Sequence, residues 1–337
     1  MSWQSSASIN MLKQRARLLQ DIRTFFQQRN VWEVETPILS RFAGTDVHLD
    51  PLEVGFSGSK HYLHTSPEFA MKRLLATGSG SIFQICKVFR DDELGRQHNP
   101  EFTMLEWYRV GFDERQLMDE VSALLVYLQD RIAANSEFSE AVSEETSLDG
   151  ICAENIERLS YRDAFLRYLQ LDPFHVSVSD LKEAAYKITD IDLDSDNRDD
   201  WLHLLLALGV EPKLGMSGAT FIYDYPASQA ALAQKGEDEG GNVVAKRFEL
   251  YVKGVELANG YLELTDAEEQ RLRFEQDLCE RQALKRKELP MDEKFLSALD
   301  AGMPACAGVA LGIDRLLMAL LGTRDIKSVL SFSYDKV

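Results

Sequence analysis

The sequence predicts one α+β domain in which strand-forming segments lie at both ends of a helical insertion. The strand-forming segments are residues 81–90, 102–110, 220–226, 247–264 and 306–312. Most of them are rich in the β-branched and aromatic residues typical of strands. Between the second and the third, from about residue 113 to residue 215, the pattern is mostly helical and acidic. This separation of strands from helices indicates an α+β architecture.

The remaining elements follow from local patterns. Residues 10–30 are predicted to form an amphipathic helix, because apolar residues recur there at spacings of three and four. These residues are Leu12, Ala16, Leu19, Ile22 and Phe26. Residues 31–37 (VWEVETP) predict a short strand that ends at Pro37. Residues 67–77 predict a short helix that opens with proline, and residues 265–288 predict a long charged helix. A last helix is expected to begin near Ile313.

Two polar segments are predicted to be irregular. Residues 136–150 (SEFSEAVSEETSLDG) predict a polar linker inside the insertion. Residues 235–242 (KGEDEGGN) predict a mobile loop, because glycines and charges cluster there.

The composition indicates a soluble globular protein. The chain has 337 residues, of which 45% are hydrophobic and 27% are charged. No apolar run approaches the length of a membrane span, and the N-terminus lacks the apolar stretch of a secretory signal. We therefore expect a cytoplasmic protein with no membrane segment. The formal net charge of −18 disfavours extensive nucleic-acid binding, which normally needs a basic surface.

The cysteines argue against two kinds of stabilising site. Cys86, Cys152, Cys279 and Cys306 are far apart and form no C-x-x-C pair. This spacing disfavours both a zinc site and a disulfide framework.

Residues 89–108 (FRDDELGRQHNPEFTMLEWY) concentrate charged and aromatic side chains between two predicted strands. On the second strand, Phe102, Glu106 and Tyr108 share one face, because side chains alternate with a period of two. Arg90, at the end of the first strand, can join that face. An aromatic plane can stack on a base, and an arginine can hold a phosphate by two hydrogen bonds. The alternation alone also fits a solvated hairpin with ordinary surface charges.

The segment GVALGIDRLL (308–317) favours a binding site. Gly308, Ala310 and Gly312 share one face of the predicted strand, and a row of small residues lets a ligand approach the backbone closely. Arg315 follows in the first turn of a helix, where a cation opposes the helix dipole. This position suggests that Arg315 serves a ligand such as a phosphate. Close helix packing and a solvated arginine are the alternatives.

Three glutamates, Glu249, Glu256 and Glu263, recur every seven residues. Residues 253–254 can turn between the first two, and a bulge at residues 259–260 would bring Glu256 and Glu263 to the same face. Converging carboxylates repel one another unless a cation joins them. Mg²⁺ carried by a nucleotide, or an ammonium group, would serve. The alternative is three solvated glutamates.

In this order, these motifs resemble the catalytic domain of class II aminoacyl-tRNA synthetases. VETP with its preceding helix is similar to the first motif, a dimer element; FRDDELGRQHNPEF is similar to the second and GVALGIDRLL to the third. HNPEFTMLEWY and ELANGYLEL are most similar to the lysine branch. The resemblance implies an antiparallel sheet flanked by helices, with the helical insertion between the second and third motifs. It also implies a homodimer through residues 10–40.

Along essentially its whole length the chain resembles the elongation factor P–(R)-β-lysine ligase family. TSPEFAMKRLL, PASQAALAQ and the acidic insertion all fit that family. A lysyl-tRNA synthetase carries an anticodon-binding OB-fold domain before the first motif. Here the first-motif helix begins near residue 10, so a single catalytic domain over residues 1–337 is expected. Members of the family use ATP to form an aminoacyl-adenylate and transfer it to a lysine of elongation factor P, a protein shaped like tRNA. The implied ligands are ATP, Mg²⁺ and (R)-β-lysine or lysine.

The resemblance also implies roles for individual residues. Arg90 and Arg315 would be catalytic, with Arg90 on the α-phosphate and Arg315 reaching the γ-phosphate. Phe102 and Arg315 would cover the two sides of the adenine. The other implied ATP-binding residues are Asp91, Asp92, Asn99, Glu256, Leu257 and Gly312. Glu249 and Glu256 would bind Mg²⁺. The implied amino-acid-binding residues are Ser66, Pro67, Glu68, Glu106, Tyr108, Asn259, Glu263 and Ala310. Of these, Tyr108 and Glu263 would take the side-chain ammonium.

Two positions depart from related sequences. Relatives commonly have Arg-Asn-Glu where this chain has Arg90-Asp91-Asp92, and Asp92 is one methylene shorter than glutamate. Ala310 stands where lysyl-tRNA synthetases carry glycine, and alanine is the usual residue of the ligase family. Its methyl group should trim the floor of the pocket, which fits a preference for β-lysine over α-lysine.

Two other functions are considered. The first is a lysyl-tRNA synthetase that lacks its anticodon domain and still charges tRNA; the acidic balance and the missing domain argue against it. The second is a non-catalytic paralogue that senses lysine or ATP. That role usually requires the loss of a motif arginine or a metal carboxylate, and this chain retains them.

Overall fold

The computed structural model describes residues 3–91, 94–134 and 151–337. These residues form a large, mostly antiparallel sheet with helices packed against it, and a small three-stranded sheet. The predicted α+β class and antiparallel sheet are confirmed. The predicted polar linker at residues 136–150 and the predicted ATP ligand Asp92 lie outside the described residues.

The helices predicted at residues 10–30, 67–77 and 265–288 and from about residue 313 are present with small shifts at their ends, and the helix at residues 293–300 was not predicted. The helices are α1 (Ile9–Gln27), α2 (Glu68–Ala76), α3 (Glu114–Ala133), α4 (Tyr161–Leu169), α5 (Val178–Tyr186), α6 (Arg198–Leu205), α7 (Ala267–Ala283), α8 (Glu293–Asp300) and α9 (Ile313–Leu321). Most begin at a polar N-cap. Asp113, for example, accepts a bond from Gln116 N and forms a full capping box before α3.

The strands are β1 (Trp32–Glu33), β2 (Leu39–Ser40), β3 (Glu53–Phe56), β4 (Ser59–Leu63), β5 (Ile82–Phe89), β6 (Glu101–Val110), β7 (Ile156–Ser160), β8 (Ala219–Pro226), β9 (Lys235–Glu237), β10 (Val243–Val252), β11 (Val255–Leu262) and β12 (Cys306–Gly312). The large sheet has the order β1-β5-β6-β12-β11-β10-β8-β7, and β9 pairs with β10. Only the β1–β5 and β7–β8 pairs are parallel among the described strands. Segments far apart in the chain thereby become neighbours in the centre of the sheet.

The two faces of the central strands meet different environments. On one face, Leu105, Trp107 and Leu311 join a large apolar core with side chains of α1, α3 and α9. On the opposite face, Tyr108 and Cys306 pack with apolar residues of α2, α7 and α8. Because alternate residues of β6 and β12 point to opposite faces, one face supplies stability and the other is left to border a cavity.

The buried face of α1 differs from the prediction. The buried residues are Gln14, Leu18, Ile22, Phe25 and Phe26. Of the predicted stripe, Ile22 and Phe26 are buried, whereas Ala16 is exposed and Leu12 is half-buried. The helix packs its Leu18–Ile22–Phe25 side against the core. Packing against α3 accounts for this, since Phe25, which is outside the predicted stripe, lies 5.5 Å from Tyr127 of α3 between ring centroids.

The insertion is not purely helical. β7 runs through it and pairs in parallel with β8 at the edge of the large sheet. Helices α4, α5 and α6 pack over this edge in a second apolar core, whose buried residues include Phe165, Trp201 and Ile222. The pairing of this five-residue strand depends on β8, which is remote in the chain, so its local composition carries little signal.

The segment predicted as a mobile loop, residues 235–242, instead begins with strand β9 and forms a hairpin with β10. Asp238 closes the turn by accepting bonds from the backbone N–H groups of Gly240 and Asn242, both at 2.8 Å. The prediction of an irregular loop was therefore wrong. The polar turn residues are present, but they serve an ordered turn.

Candidate active site

The register of the strands aligns two rows of side chains across the face of the central strands that borders the cavity. In the first row, Glu106 pairs with Ala310, Ala310 with Asn259, and Asn259 with Glu249. In the second row, Tyr108 pairs with Gly308, Gly308 with Tyr261, and Tyr261 with Arg247. Both rows border one cavity of about 1170 Å³. The strand alternation predicted for residues 102–108 and 308–312 is therefore confirmed.

Position 308 requires glycine because the side chains of Glu263 and Tyr108 lie directly over its backbone. A Cβ atom built at Gly308 would clash with Glu263 Oε1 and with the ring of Tyr108. The absent side chain lets these two groups meet over the strand. This agrees with the expected row of small residues. The groups that use the space next to Gly308 are side chains of the protein itself.

One end of the cavity is cationic and aromatic. Arg90 follows β5, and its guanidinium carbon lies 5.1 Å from the ring centroid of Phe102. Arg315 donates to the backbone oxygen of Glu256 at 3.0 Å and lies 2.7 Å from Nε2 of His98. These residues line the cavity together with Leu257 and Gly312. The arrangement offers an aromatic plane and two guanidinium groups, which suits a base with attached phosphates.

A buried carboxylate fixes the start of α9 and so positions Arg315. Asp314 is 2% exposed and forms an ion pair with Arg15 of α1 at 2.5 Å. Its second oxygen accepts a bond from the backbone N–H of Thr103 at 2.7 Å. An acidic residue in the first turn also suits the helix dipole, which the adjacent Arg315 opposes. Asp314 therefore ties together α1, β6 and α9, the elements of the three sequence motifs.

Two predicted ATP ligands have other partners. Asn99 borders the cavity, but its Nδ2 donates to the backbone oxygen of Glu101 at 2.6 Å, and its Oδ1 accepts from Tyr334 N at 3.0 Å. Asp91 is not among the residues that line the cavity, and it accepts a bond from Lys287 Nζ at 2.9 Å.

Glu249, Glu256 and Glu263 all line the cavity, the first two at one end and Glu263 at the other, and Glu256 reaches this face by a different irregularity from the predicted one. The turn at residues 253–254 is confirmed. Residues 259–260 pair regularly with both neighbouring strands, so the bulge predicted there is wrong. The register instead shifts beside Leu257, because Leu250 faces Ala258 while Tyr251 faces Glu256. This extra residue reverses the alternation and places Glu256 on the face of Asn259.

Glu249 and Glu256 border the cavity beside Arg315. Glu249 accepts bonds from Tyr225 Oη at 2.7 Å and Tyr251 Oη at 2.5 Å, and it is ion-paired with Arg247. Glu256 Oε2 lies 3.7 Å from Arg315 Nη1, and its side chain is 40% accessible from the cavity side. Burial among protein atoms, and then the charge of Glu249, raise the pKa of Glu256 to about 7.

The donor chemistry of these two carboxylates fits a hard cation. Mg²⁺ typically uses one or two protein carboxylates and completes its shell with phosphate oxygens and water. Within the described ranges, no group of three or more His, Cys, Asp or Glu residues forms a metal site by itself. The pair therefore suits a metal ion that arrives with a nucleotide, and a cation there would relieve the repulsion that raises the pKa of Glu256.

The other end of the cavity is rich in carboxylates. Glu106 is 3% exposed; its Oε1 accepts a bond from Tyr108 Oη at 3.0 Å, and its Oε2 is buried without a hydrogen-bond partner. Burial, and then the nearby charge of Glu68, raise the pKa of Glu106 well above its ordinary value. Burial also raises the pKa of Glu263, to about 7. The raised pKa values mean that the ionised forms of these carboxyl groups are unfavourable. A bound cation such as an ammonium group would stabilise them.

A buried lysine occupies part of this region. Lys72 of α2 is fully buried, and its Nζ lies 2.6 Å from Glu68 Oε1 and 2.5 Å from Glu263 Oε2. These two ion pairs raise the pKa of Lys72 above its ordinary value, although burial opposes them. Lys72 was not among the predicted site residues. Its position four residues after Glu68 on a helix was the signal that could have indicated the pair.

Comparison with known proteins identifies the family. Residues 1–336 match the family model described as class II tRNA synthetases (D, K and N). The chain is 49% identical to the elongation factor P–(R)-β-lysine ligase of Proteus mirabilis, over 98% of this chain and 97% of that protein. It is 47% identical to the ligase of the same name from Salmonella typhi, over 99% of this chain and 98% of that protein.

The chain belongs to the elongation factor P–(R)-β-lysine ligase family. The resemblance inferred from the sequence motifs is thus confirmed. None of the helices in the described ranges has both the length and the hydropathy that a membrane crossing needs.

Most residues implied by the ligase family converge on one cavity. The implied residues that line it are Ser66, Pro67, Glu68, Arg90, Asn99, Phe102, Glu106, Tyr108, Glu249, Glu256, Leu257, Asn259, Glu263, Ala310, Gly312 and Arg315. Sequence reasoning missed His98 and Arg247, which also line it. The sequence placed Arg247 on a strand, but the residues around it gave no sign that its side chain faces a cavity and not the solvent.

Proposed function

We propose that the protein is a cytoplasmic ligase that uses ATP to activate (R)-β-lysine as an aminoacyl-adenylate and transfers the β-lysyl group to a lysine side chain of elongation factor P. The names of the relatives support this amino acid and this acceptor. The observation that carries the proposal is the single cavity, which joins an arginine-rich end to a carboxylate-rich end across one sheet. A nucleotide at the first end and an amino acid with ammonium groups at the second would meet in the middle.

The first step would be attack by the amino-acid carboxylate on the α-phosphate of ATP. The new bond joins a carboxylate oxygen to the α-phosphorus. The bond between the α-phosphorus and the oxygen that bridges to the β-phosphate breaks, and pyrophosphate leaves. Such a reaction depends on orientation and on charge stabilisation more than on acid–base catalysis. Arg90 and Arg315 would stabilise charge on the phosphates. Phe102 would stack on the base.

Glu249 and Glu256 would hold Mg²⁺, which supplies positive charge next to the phosphates of ATP. In the second step, the deprotonated amine of the acceptor lysine would attack the adenylate carbonyl. An amide bond forms and AMP leaves. The net charge of −18 supports a protein acceptor over tRNA. Residues 1–337 would form a single catalytic domain with an insertion.

ATP–pyrophosphate exchange tests the first step. Exchange that depends on (R)-β-lysine, followed by transfer of labelled β-lysine to elongation factor P and not to tRNA, is the expected result. Transfer to tRNA alone would favour the truncated synthetase. Lysine binding without any exchange would favour a sensor.

Ala310→Gly is expected to raise kcat/KM for α-lysine relative to (R)-β-lysine. Ala310 lies between Glu106 and Asn259 in the first row of the floor, so glycine would enlarge the pocket by about one methyl group, a change worth about 1–3 kcal/mol in a packed site. The isomer ratio should therefore change several-fold in adenylate formation. Ala307→Gly is the matched control, because Ala307 lies on the same strand within the apolar core. An isomer ratio that is the same in Ala310→Gly and the unaltered protein would show that this methyl group does not touch the amino acid.

A homodimer through residues 10–40 is also expected. Trp32, Ile38 and Leu39 are 56%, 39% and 38% exposed, and Ala16 of α1 is exposed as well. An obligate interface there should bury well over about 1,000 Å². Sedimentation velocity over a wide concentration range measures the mass, and a monomer at every concentration would contradict the proposal. Trp32→Glu should weaken the dimer, whereas Leu272→Glu, at an exposed position of α7, should not.

A further inference from the structure

The contacts of Lys72 suggest a function beyond the stability of the fold. Its side chain has no exposed surface, and its ammonium group lies between one oxygen of Glu68 and one oxygen of Glu263. Glu68 is on the same helix, four residues earlier, and its side chain is 15% exposed. Glu263 directly follows β11, which ends at Leu262, and is 1% exposed. Lys72 therefore connects a helix to the proposed ammonium ligand just beyond that strand.

The two oxygens of Glu263 have different surroundings. Oε2 is the atom next to Lys72; it is ion-paired but makes no hydrogen bond of good geometry. Oε1 lies over Gly308 beside the ring of Tyr108, in the space that a Cβ atom of residue 308 would fill. The 2.5 Å ion pair at Oε2 restrains the orientation of the carboxylate. The other oxygen is then available in a defined direction.

The surroundings of Glu263 contain more carboxyl groups than positively charged groups. Among the described residues, the groups that face Glu263 are Glu68 and Lys72 from α2, Glu106 and Tyr108 from β6, and Cys306 from β12, and Cys86 of β5 faces Glu106. Burial raises the pKa of both thiols to about 12, and burial raises the pKa of the Tyr108 phenol as well. Three carboxyl groups thus face a single resident ammonium. Buried charges of one sign need partners, so the region can accept a further cation only while the carboxylates stay ionised.

We propose that Lys72 is a positioning residue for amino-acid recognition: it holds Glu263 ionised and oriented so that Oε1 receives an ammonium group of the bound amino acid. The inference rests on the proposed function, because it takes that ammonium group from β-lysine. Lys72 itself does not touch the amino acid in this account. Its effect passes through Glu263, and Glu68 anchors Lys72 from the same helix.

The test is binding of (R)-β-lysine, measured by calorimetry between pH 6 and 8.5 for the full chain and for Lys72→Gln. Without the resident cation, the pKa of Glu263 rises further, and the carboxylate needs a higher pH to ionise. The dissociation constant near neutral pH should rise about ten-fold, and the pH midpoint of binding should move up by about one unit, as expected for the loss of one charged contact. ATP binding should change little.

Two variants separate positioning from structure. Lys72→Arg keeps the cation and should restore the pH midpoint, even if its larger side chain weakens binding. Lys182→Gln removes a lysine that is paired with the fully exposed Asp196, and it should leave binding unchanged. A folded Lys72→Gln protein with a lower melting temperature but an unchanged dissociation constant and midpoint would overturn the proposal.

A second comparison applies if Lys72→Gln does not fold. Lys72→Gln/Glu263→Gln removes both members of the ion pair and should bind (R)-β-lysine as Glu263→Gln does, within about three-fold. A further loss of about ten-fold or more would show that Lys72 acts independently of Glu263, against the proposal. Failure of the proposed function has a different signature: the unaltered protein would bind (R)-β-lysine but catalyse no pyrophosphate exchange.

Discussion

Arg90→Ala and Arg315→Ala are each expected to lower lysine-dependent ATP–pyrophosphate exchange by about 100- to 1,000-fold, by analogy with the loss of one transition-state hydrogen-bond donor. Both guanidinium groups lie at the cationic end of the cavity, next to Phe102 and Glu256 respectively. Their contacts with phosphate should strengthen as charge develops in the transition state. The loss should therefore appear in kcat and not only in the KM for ATP.

Arg167→Ala is the control for these variants. Arg167 lies on α4 of the insertion, is 46% exposed and pairs with the half-exposed Glu157. Its removal should leave exchange unchanged. Melting temperatures of all three variants would show whether the fold is intact. Near-normal exchange in Arg90→Ala or Arg315→Ala would mean that this arginine does not contact the phosphates of ATP in the transition state.

Glu263→Gln is expected to raise the KM for (R)-β-lysine by about 10- to 100-fold near pH 8, the usual worth of a hydrogen bond to a charged group. The amide cannot pair with Lys72 or with an incoming ammonium group as a carboxylate does. The KM for ATP should change little, because Glu263 lies at the carboxylate end of the cavity. KM values measured separately for the two substrates check this.

The same variant should remove a pH dependence. Burial raises the pKa of Glu263 to about 7. Only the ionised carboxylate attracts an ammonium group, so binding is at full strength above pH 7. As the pH falls below 7, binding must displace a proton, and the KM should rise by up to about ten-fold per pH unit. Glu263→Gln should show a flat profile over this range.

Glu268→Gln, a change at an exposed position of α7, is the matched control and should retain the sloping profile. A Glu263→Gln protein that keeps the slope would show that another group controls amino-acid binding. Glu106 would be the next candidate, since burial raises its pKa well above the ordinary value.

The sequence predicted the residues that line the cavity better than it predicted the edge strand β7 or the buried face of α1. Alternation with a period of two places Phe102, Glu106 and Tyr108 on one face of β6, and the structure has them there. This works because alternation is a local property of an extended chain. The convergence of Glu256 with its neighbours was also predicted, but the bulge beside Leu257 was not located, since it depends on how β10 and β11 pair.

Elements whose structure depends on a distant partner were harder to predict. β7 pairs with β8 across the insertion, and α1 turns its Leu18 and Phe25 side to the core because Phe25 packs against Tyr127 of α3. Neither partner is visible in the local pattern. Lys72 is a similar case, because its role depends on Glu263, which is remote in the chain.

The sequence by itself determined the α+β class, the family, and the strand face that Phe102, Glu106 and Tyr108 share. These follow from periodicity and from residue types at fixed spacings, which the chain carries locally. Only the tertiary structure decided that Asp91 bonds to Lys287 and that a resident ammonium group already engages Glu68 and Glu263. The physical reason is that charge pairing depends on distance and burial. Both are set when remote segments pack, so a carboxylate in the sequence does not reveal which cation it will meet.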